Sequence, residues 1–418
     1  MDFLTDRWQK GCIVDWGNGM KVLFVVPYVP NLVRTRPYNL IRNLAACGHQ
    51  VSLLTVWSNE QERADLEPLR EFCYDVQSVH IPTWRSLVNS LTAVPGYQPL
   101  QSVYSWDQKL VESFNGRSPY DVVHVEHLRG SRYGLYLKEH TNVPVVWDSV
   151  DCISHLFKQA VAKSKNPIGR LRSQFELGRT ERYEGWLLDK FDHVLVTSPV
   201  DKRSLLALKS EDSHTAPISV LQNGVDVDYF TPDPKVKRDP ETLVISGKMS
   251  YHANISMVMY LVQKIMPLVW KHRADVKLWI VGKDPSREIE ALDEHANITV
   301  TGTVPDLRPY LRQATIAVTP ITYGAGIQNK VLEAMACATP VVTTPQAIAA
   351  IEALPGRDLL VAADANKFAE TIVNLLANPV QQKSMGQAAR KYVVYHHHWK
   401  NIVARLTEIY HTASQRAQ

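Results

Sequence analysis

Runs of apolar, largely β-branched residues alternate with helix-period stretches along nearly the whole chain, and this alternation restricts the fold more than any other feature. Strand candidates in the first half are Val22–Val26, Val51–Val56, Val76–Ile81, Val122–Val125, Val145–Trp147 and His193–Thr197, with helical patterns such as Tyr38–Ala46 and Arg182–Lys190 between them. A second series begins near Thr242: Leu243–Ser246, Val276–Val281, Ile298–Thr301, Ile316–Thr319, Pro340–Thr343 and Leu359–Val361. Its helices are Ile255–Trp270, Asp306–Arg312, Gln328–Cys337 and Asn366–Leu376, and a last helical pattern covers Trp399–Thr412. Strand–helix alternation produces parallel sheets with crossover helices. The expectation is an α/β protein of two Rossmann-like, doubly wound domains facing across a cleft, with ligands beyond the C-terminal strand ends.

A length of 418 residues fits two cores better than one. The polar stretch after Lys209, the turn Asn223-Gly224 and the charged, proline-rich Thr231–Pro240 put the division in this region. The expected organisation is an extension over 1–19, an acceptor-side domain over 20–215, a nucleotide-binding domain over 216–395 and a C-terminal helix over 396–418. Residues 1–19 lack strand alternation and a helical stripe, and Met20 opens the first strand, so the extension is expected to be dispensable.

Hydrophobic content of 45%, charged content of 21% and a net charge of +4 are ordinary for a soluble globular protein. No basic-aromatic array points to nucleic acid. Five cysteines, dispersed and without CxxC spacing, fit a reducing compartment rather than a disulfide framework or a zinc site. Neither a bilayer-length apolar run nor the order of a signal peptide is present, so a cytoplasmic protein, soluble or peripheral to the membrane, is expected.

The run Tyr323–Val342 carries the clearest chemistry. Gly324 and Gly326 lead into a helix with Lys330 and Glu333 three apart, on one face. A helix start with an early lysine attracts phosphate, and a carboxylate one turn on suits a ribose diol. The plainer alternative is an amphipathic helix with a surface ion pair. Gly247-Lys248 follows the first strand of the second series, where glycine lets backbone approach a ligand and lysine neutralises phosphate. The Thr303-Val304 turn could offer backbone groups to a base, with Asp306 equally suited to cap a helix.

These strings resemble glycosyltransferase family 4, retaining enzymes of the GT-B fold, and are most similar to bacterial sugar transferases of exopolysaccharide clusters. SGKMSYHANI, WIVGKDP, VTGTVPDLRPYL, GAGIQNKVLEAMA, TPVVTTPQA, PGRDLLVA and LQNGVDVDYF carry the resemblance in the second half. VPYVPNLVRTRPYNLIRNLAACGHQV and DVVHVEH carry it in the first; Lys21 to about Ile409 is covered. The resemblance implies that Glu333 holds the ribose, Lys330 the diphosphate, and Gly247, Val304, Gly326, Ile327, Gln328 and Asn329 the rest of the donor, with Lys248 as a second cation. The family's Glu-x7-Glu motif has lost its first member, because Ala325 stands there, and Asn254 lies near a frequent family lysine.

In the first half, the family's glycine-rich loop is replaced by Pro27–Pro37, which contains no glycine but has Arg34 and Arg36. Arginines can grip a diphosphate bidentately, and Arg36 is assigned to the donor on that basis. His124, Glu126 and His127 lie at and beyond a strand end, where the family has a histidine near the sugar; any of the three could take that place. Glu126 and His127 join Lys330 and Lys248 as the catalytic candidates. Asp148 and Asp151 end the next strand, facing the acceptor or capping a helix. Asp226-Val227-Asp228 and the triplet His396–His398 are discounted as metal sites, and no metal or other cofactor is expected.

Two segments suggest a membrane. Cys152–Phe175 holds Lys158, Lys163, Lys165, Arg170 and Arg172 without an acid, and Ile81–Ser105 is apolar and aromatic with one charge, Arg85. Such a pair favours an anionic bilayer surface, against the alternative of core packing plus a solvated helix. The resulting expectation is a retaining transferase moving a sugar from a nucleotide-sugar to a lipid-linked or exopolysaccharide precursor. Its rivals are a sugar-nucleotide epimerase of the same fold and an inactive nucleotide-sugar-binding partner.

Overall fold

The computed structural model describes residues 19–32, 34–112, 120–163, 167–209, 215–321 and 328–417. The chain forms two compact units, Met1–Gln222 with Trp399–Gln418, and Asn223–His398. The strands of the first are β1 (Lys21–Val26), β2 (Gln50–Trp57), β3 (Asp75–His80), β4 (Val122–Glu126), β5 (Val145–Val150), β6 (His193–Val196) and β7 (Ile218–Val220). They form a seven-stranded sheet in the order β3-β2-β1-β4-β5-β6-β7, parallel throughout. The short β7 is the one strand of this sheet that the apolar pattern does not announce. It carries the unit on to Gln222, next to the Asn223-Gly224 turn.

The second unit has β8 (Asp239–Ser246), β9 (Lys277–Val281), β10 (Ile298–Gly302), β11 (Ala314–Thr319), β12 (Val341–Thr343) and β13 (Leu360–Val361). Their order is β10-β9-β8-β11-β12-β13, again all parallel. Both sheets are therefore doubly wound. Their strand order reverses between β1 and β4 and between β8 and β11, the points where such sheets leave a crevice at the C-terminal strand ends.

The run LFVV of β1 is buried on both faces because helices cover both. Leu23 and Val25 enter one core, with Val123, Val125 and Trp147. Val22, Phe24 and Val26 enter the other, with Leu40, Ile41 and Leu44 from the helix Thr35–Ala46. The last helix, Trp399–Ala417, adds Trp399, Ile402, Val403, Leu406 and Tyr410 to that second core, a helical spacing that closes one face of the first sheet. The expected helix Ile255–Trp270 is interrupted. It runs as His252–Tyr260, a π-turn Leu261–Ile265 and Met266–His272, and Pro267, which has no N–H to give, sits where the regular pattern resumes.

Candidate active site

At the end of β8 the chain turns through Gly247, whose φ of 151° lies where glycine is favoured. A side chain there would put its Cβ 2.8 Å from Asn254 Nδ2 and 3.5 Å from Lys330 Cε. The neighbouring strand comes equally close: a Cβ on Gly282 would fall 1.7 Å from the Gly247 carbonyl oxygen. These glycines leave room for three side chains to converge. Lys330 Nζ donates to Asn254 Oδ1 at 2.7 Å, and Asn254 Nδ2 donates to the Lys248 carbonyl at 2.8 Å. The amide thus ties the lysine of one strand–helix junction to the backbone of the other. Lys248 itself extends an exposed side chain from this turn.

Lys330 and Glu333 lie on the short helix Asn329–Ala336, which follows Gln328. Burial lowers the Lys330 ammonium to about 8 despite the opposing charge of Glu333. Burial raises the Glu333 carboxyl to about 7, with Lys330 pulling the other way. Both side chains are half-buried, and a fully solvated surface pair would not be shifted this way. Asn329 Oδ1 is buried and has no hydrogen-bond partner among the described residues. Gly326 and Ile327, like Tyr323, Gly324 and Ala325, lie outside the described residues.

Val304 follows β10 and packs its side chain against the core of the unit. β10 is two strands from β8, roughly 10 Å away at about 4.8 Å per strand. Asp306 is occupied in the turn: Oδ1 accepts from the Arg308 backbone at 2.9 Å and from the Tyr229 hydroxyl at 3.2 Å. Asp226 and His397 also have structural partners. Asp226 accepts from the backbone of Tyr229, and buried His397 meets the Asn223 carbonyl at 2.8 Å.

In the first unit, Arg36 corrects the sequence reading. Pro27–Pro37 is not all loop: the helix begins at Thr35 and turns Arg36 inward. There Arg36 is 5% exposed, and its Nε and Nη2 donate to Asp148 Oδ2 at 2.9 and 2.7 Å. A guanidinium neutralised in the interior is not a diphosphate grip. Arg34 pairs with Glu62 at 2.9 Å. Burial pushes the Asp148 carboxyl up, but Arg36 and His124 outweigh it and hold the group at about 2. His124 stacks on Phe24 at 4.3 Å and its Nδ1 meets the Tyr410 hydroxyl at 2.9 Å, so it is a core residue. Asp151 accepts from Thr197 Oγ1 at 3.3 Å.

Glu126 and His127 are brought together at the end of β4. Glu126 Oε1 accepts from the Tyr28 hydroxyl at 3.0 Å, while Oε2 is buried without a hydrogen-bond partner among the described residues. Burial, reinforced by Asp148, raises its carboxyl to about 8. His127 has a φ of 65°, unusual for a residue with a side chain, as the chain swings from strand into the helix His127–His140. Gly130 lets that helix sit close: a Cβ there would lie 3.0 Å from Val125 Cγ1. Burial and then Arg129 lower the His127 imidazole to about 4. Tyr28 is the participant that the sequence reading does not single out, although it is a polar residue two positions beyond the end of β1 at the switch point; Asn254 enters that reading only for standing near a frequent family lysine.

Glycosyl transferases group 1 matches residues 240–378, and the Glycosyl transferase 4-like domain matches residues 33–224. The chain is a GT4-type glycosyltransferase. It is 25% identical over 324 residues to D-inositol 3-phosphate glycosyltransferase of Arthrobacter sp. (strain FB24), spanning 72% of this chain and 74% of that one. It is 28% identical over 238 residues to the GDP-mannose-dependent monoacylated alpha-(1-6)-phosphatidylinositol monomannoside mannosyltransferase of Corynebacterium glutamicum, spanning 51% and 61%. Among solved structures, sucrose-phosphate synthase from Thermosynechococcus elongatus superposes with a TM-score of 0.66 at 19% identity over 94% of this chain and 98% of that one. Anabaena Alr3699/HepE in complex with UDP gives 0.66 at 14% identity over 94% and 100%. The fold of the transferase is GT-B, with two Rossmann-like domains.

Proposed function

We propose that the transferase moves a sugar, with retention of configuration, from a nucleotide-sugar to a lipid-linked or growing polysaccharide precursor on the cytoplasmic side of a membrane. The observation that carries this reading is the junction of Gly247, Lys248, Asn254 and Lys330 at the switch point of the second sheet. A cation partly withdrawn from water and held by an amide is suited to charge that develops during reaction. As the glycosidic C–O bond breaks, the departing diphosphate gains negative charge. Lys330 and Lys248 stabilise it, together with the backbone of the helix start near Gln328 and Asn329, so no metal is called for. Glu333 accepts from the ribose hydroxyls, and the Val304 turn faces the base.

In the first unit, Glu126 and His127 orient the acceptor hydroxyl and shield the oxocarbenium-like carbon. Attack comes from the face the nucleotide leaves, and the departing phosphate oxygen takes the acceptor's proton. No protein nucleophile enters the scheme. One named relative, which acts on a phosphatidylinositol mannoside, supports a lipid-linked acceptor, while another acts on an inositol phosphate, which carries no lipid; UDP and UDP-glucose accompany structural neighbours. A thermal-shift screen with UDP-, GDP- and dTDP-sugars tests the donor site, because a ligand that binds the folded state raises the melting temperature. A shift with one nucleotide series supports the reading. No shift with any of them contradicts it.

A further inference from the structure

The helix Thr83–Ala93 is built inside out. Trp84, Leu87, Val88 and Leu91 follow the spacing of a single helical stripe, yet they are 66%, 56%, 46% and 68% exposed. The polar side is turned inward: Ser86 is buried, and Asn89 Nδ2 donates to the Trp106 carbonyl at 2.9 Å. A surface helix of a soluble domain would be expected to pack its apolar stripe on the core. Core packing, the plainer explanation for this apolar segment, holds for Ile81, Ala93 and Val103, which are buried, but not for the stripe from Trp84 to Leu91.

The stripe is held in place by a second helix, Pro167–Leu187. The guanidinium of Arg179 donates to the carbonyls of Ala93, Val94, Gly96 and Gln98, which collects the free carbonyl end of the first helix on one cation. Arg182 lies 4.9 Å over the ring of Tyr97, and Arg179 lies 4.9 Å over Phe175. Leu171, Phe175, Arg179 and Arg182 are spaced by four, four and three, one face of this helix. Leu171 and Phe175 are 71% and 49% exposed and extend the apolar surface. No aspartate or glutamate occurs from Ile81 to Trp106 or from Cys152 to Phe175.

We propose that this surface seats the protein on an anionic bilayer. The apolar stripe enters the interfacial layer, Trp84 and Tyr97 lie at headgroup depth, and Arg170 and Arg182 face the lipid phosphates. Aromatic and aliphatic side chains bordered by arginines complement a phosphate-rich interface, and the carboxylates beside Arg179 and Arg182 are engaged, Glu176 by the Leu100 N–H and Glu181 by Lys158. The surface stands on its own geometry; only its purpose, meeting a membrane-held acceptor, rests on the proposed transfer.

Cosedimentation of the full chain with vesicles tests it, using pure phosphatidylcholine and equal parts phosphatidylcholine and phosphatidylglycerol. The expected result is binding to the anionic vesicles, weakening as salt rises. The double variant Leu87→Asp/Leu91→Asp changes exposed positions only and should keep the wild-type melting temperature and nucleotide-sugar response while losing at least about tenfold in vesicle partitioning. Arg182→Glu should weaken binding to the anionic vesicles alone. Equal binding to both vesicles, binding to neither, or unchanged partitioning of the double variant would overturn the proposal. So would self-association abolished by the double variant without vesicle binding, since the surface would then join copies of the chain. Loss of the nucleotide-sugar response in the wild type would count against the donor site and leave vesicle binding untouched.

Discussion

At the end of β8, Lys330 is held by an amide; at the end of β4, Arg36 is held by a carboxylate and Glu126 by a phenol. The two units use the same sheet plan and the same switch point, and the contrast lies in how much charge each leaves uncompensated. In the second unit a lysine titrating near 8, with Glu333 one turn along its helix, approaches a turn that carries an exposed lysine, and no ion pair to either lysine occurs among the described residues. In the first, Arg36 is cancelled by Asp148, His127 is neutral and Glu126 keeps its proton. Under the function proposed above, the first of these strand ends receives growing negative charge and the second holds an uncharged hydroxyl, a difference made by the counter-groups and not by the sheets.

The sharpest way to break the comparison is to unbalance the first unit. Asp148→Asn leaves a guanidinium buried without its anion and should destabilise that unit by on the order of 3–5 kcal/mol, read from denaturant unfolding. An unchanged midpoint would mean that the pair is not what neutralises this strand end. The pH dependence has a definite sign. The folded pKa of Asp148 is depressed from 3.8 to about 2, so its stabilisation is present above the unfolded value and is lost as pH falls through that window.

Glu126→Gln is the next largest change, and its sign is opposite. The folded pKa is raised from 4.5 to about 8, so stability is fully present below the unfolded value and declines as pH rises through the folded one. The glutamine variant should match wild type near pH 4 and exceed it near pH 8, by on the order of 2–4 kcal/mol. Parallel curves would show that Glu126 is not held neutral. Glu333→Ala sharpens the other half of the comparison. It should weaken nucleotide-sugar binding by about 1.5–3 kcal/mol in calorimetry with little change in turnover, since the ribose contact is the same before and during reaction. A fall in turnover with unchanged affinity would move Glu333 into the chemistry.

Much of this was legible in the sequence, for physical reasons. Parallel strands buried on both faces leave apolar runs, so twelve of the strands stand out, whereas β7, short and broken by Ser219, does not. Lys330 and Glu333 declare themselves through helical spacing. Arg36 did not, because its partner is 112 residues away and a basic proline-bounded stretch looks like a solvated loop. Asn254 is a short amide whose importance comes only from what converges on it. The stripe Trp84–Leu91 has a helical period that is identical whether it faces inward or outward, and only accessibility separates the two.

The central claim is that Lys330 meets charge that grows as the nucleotide departs. Steady-state nucleotide release by Lys330→Ala, with the donor that the thermal-shift screen selects, tests it most directly. The expected result is a loss of about 10²–10³ in turnover with donor affinity changed only a few-fold, because the interaction strengthens toward the transition state. Wild-type turnover in a folded Lys330→Ala protein would contradict the account, and a loss confined to donor affinity would reduce Lys330 to a binding residue.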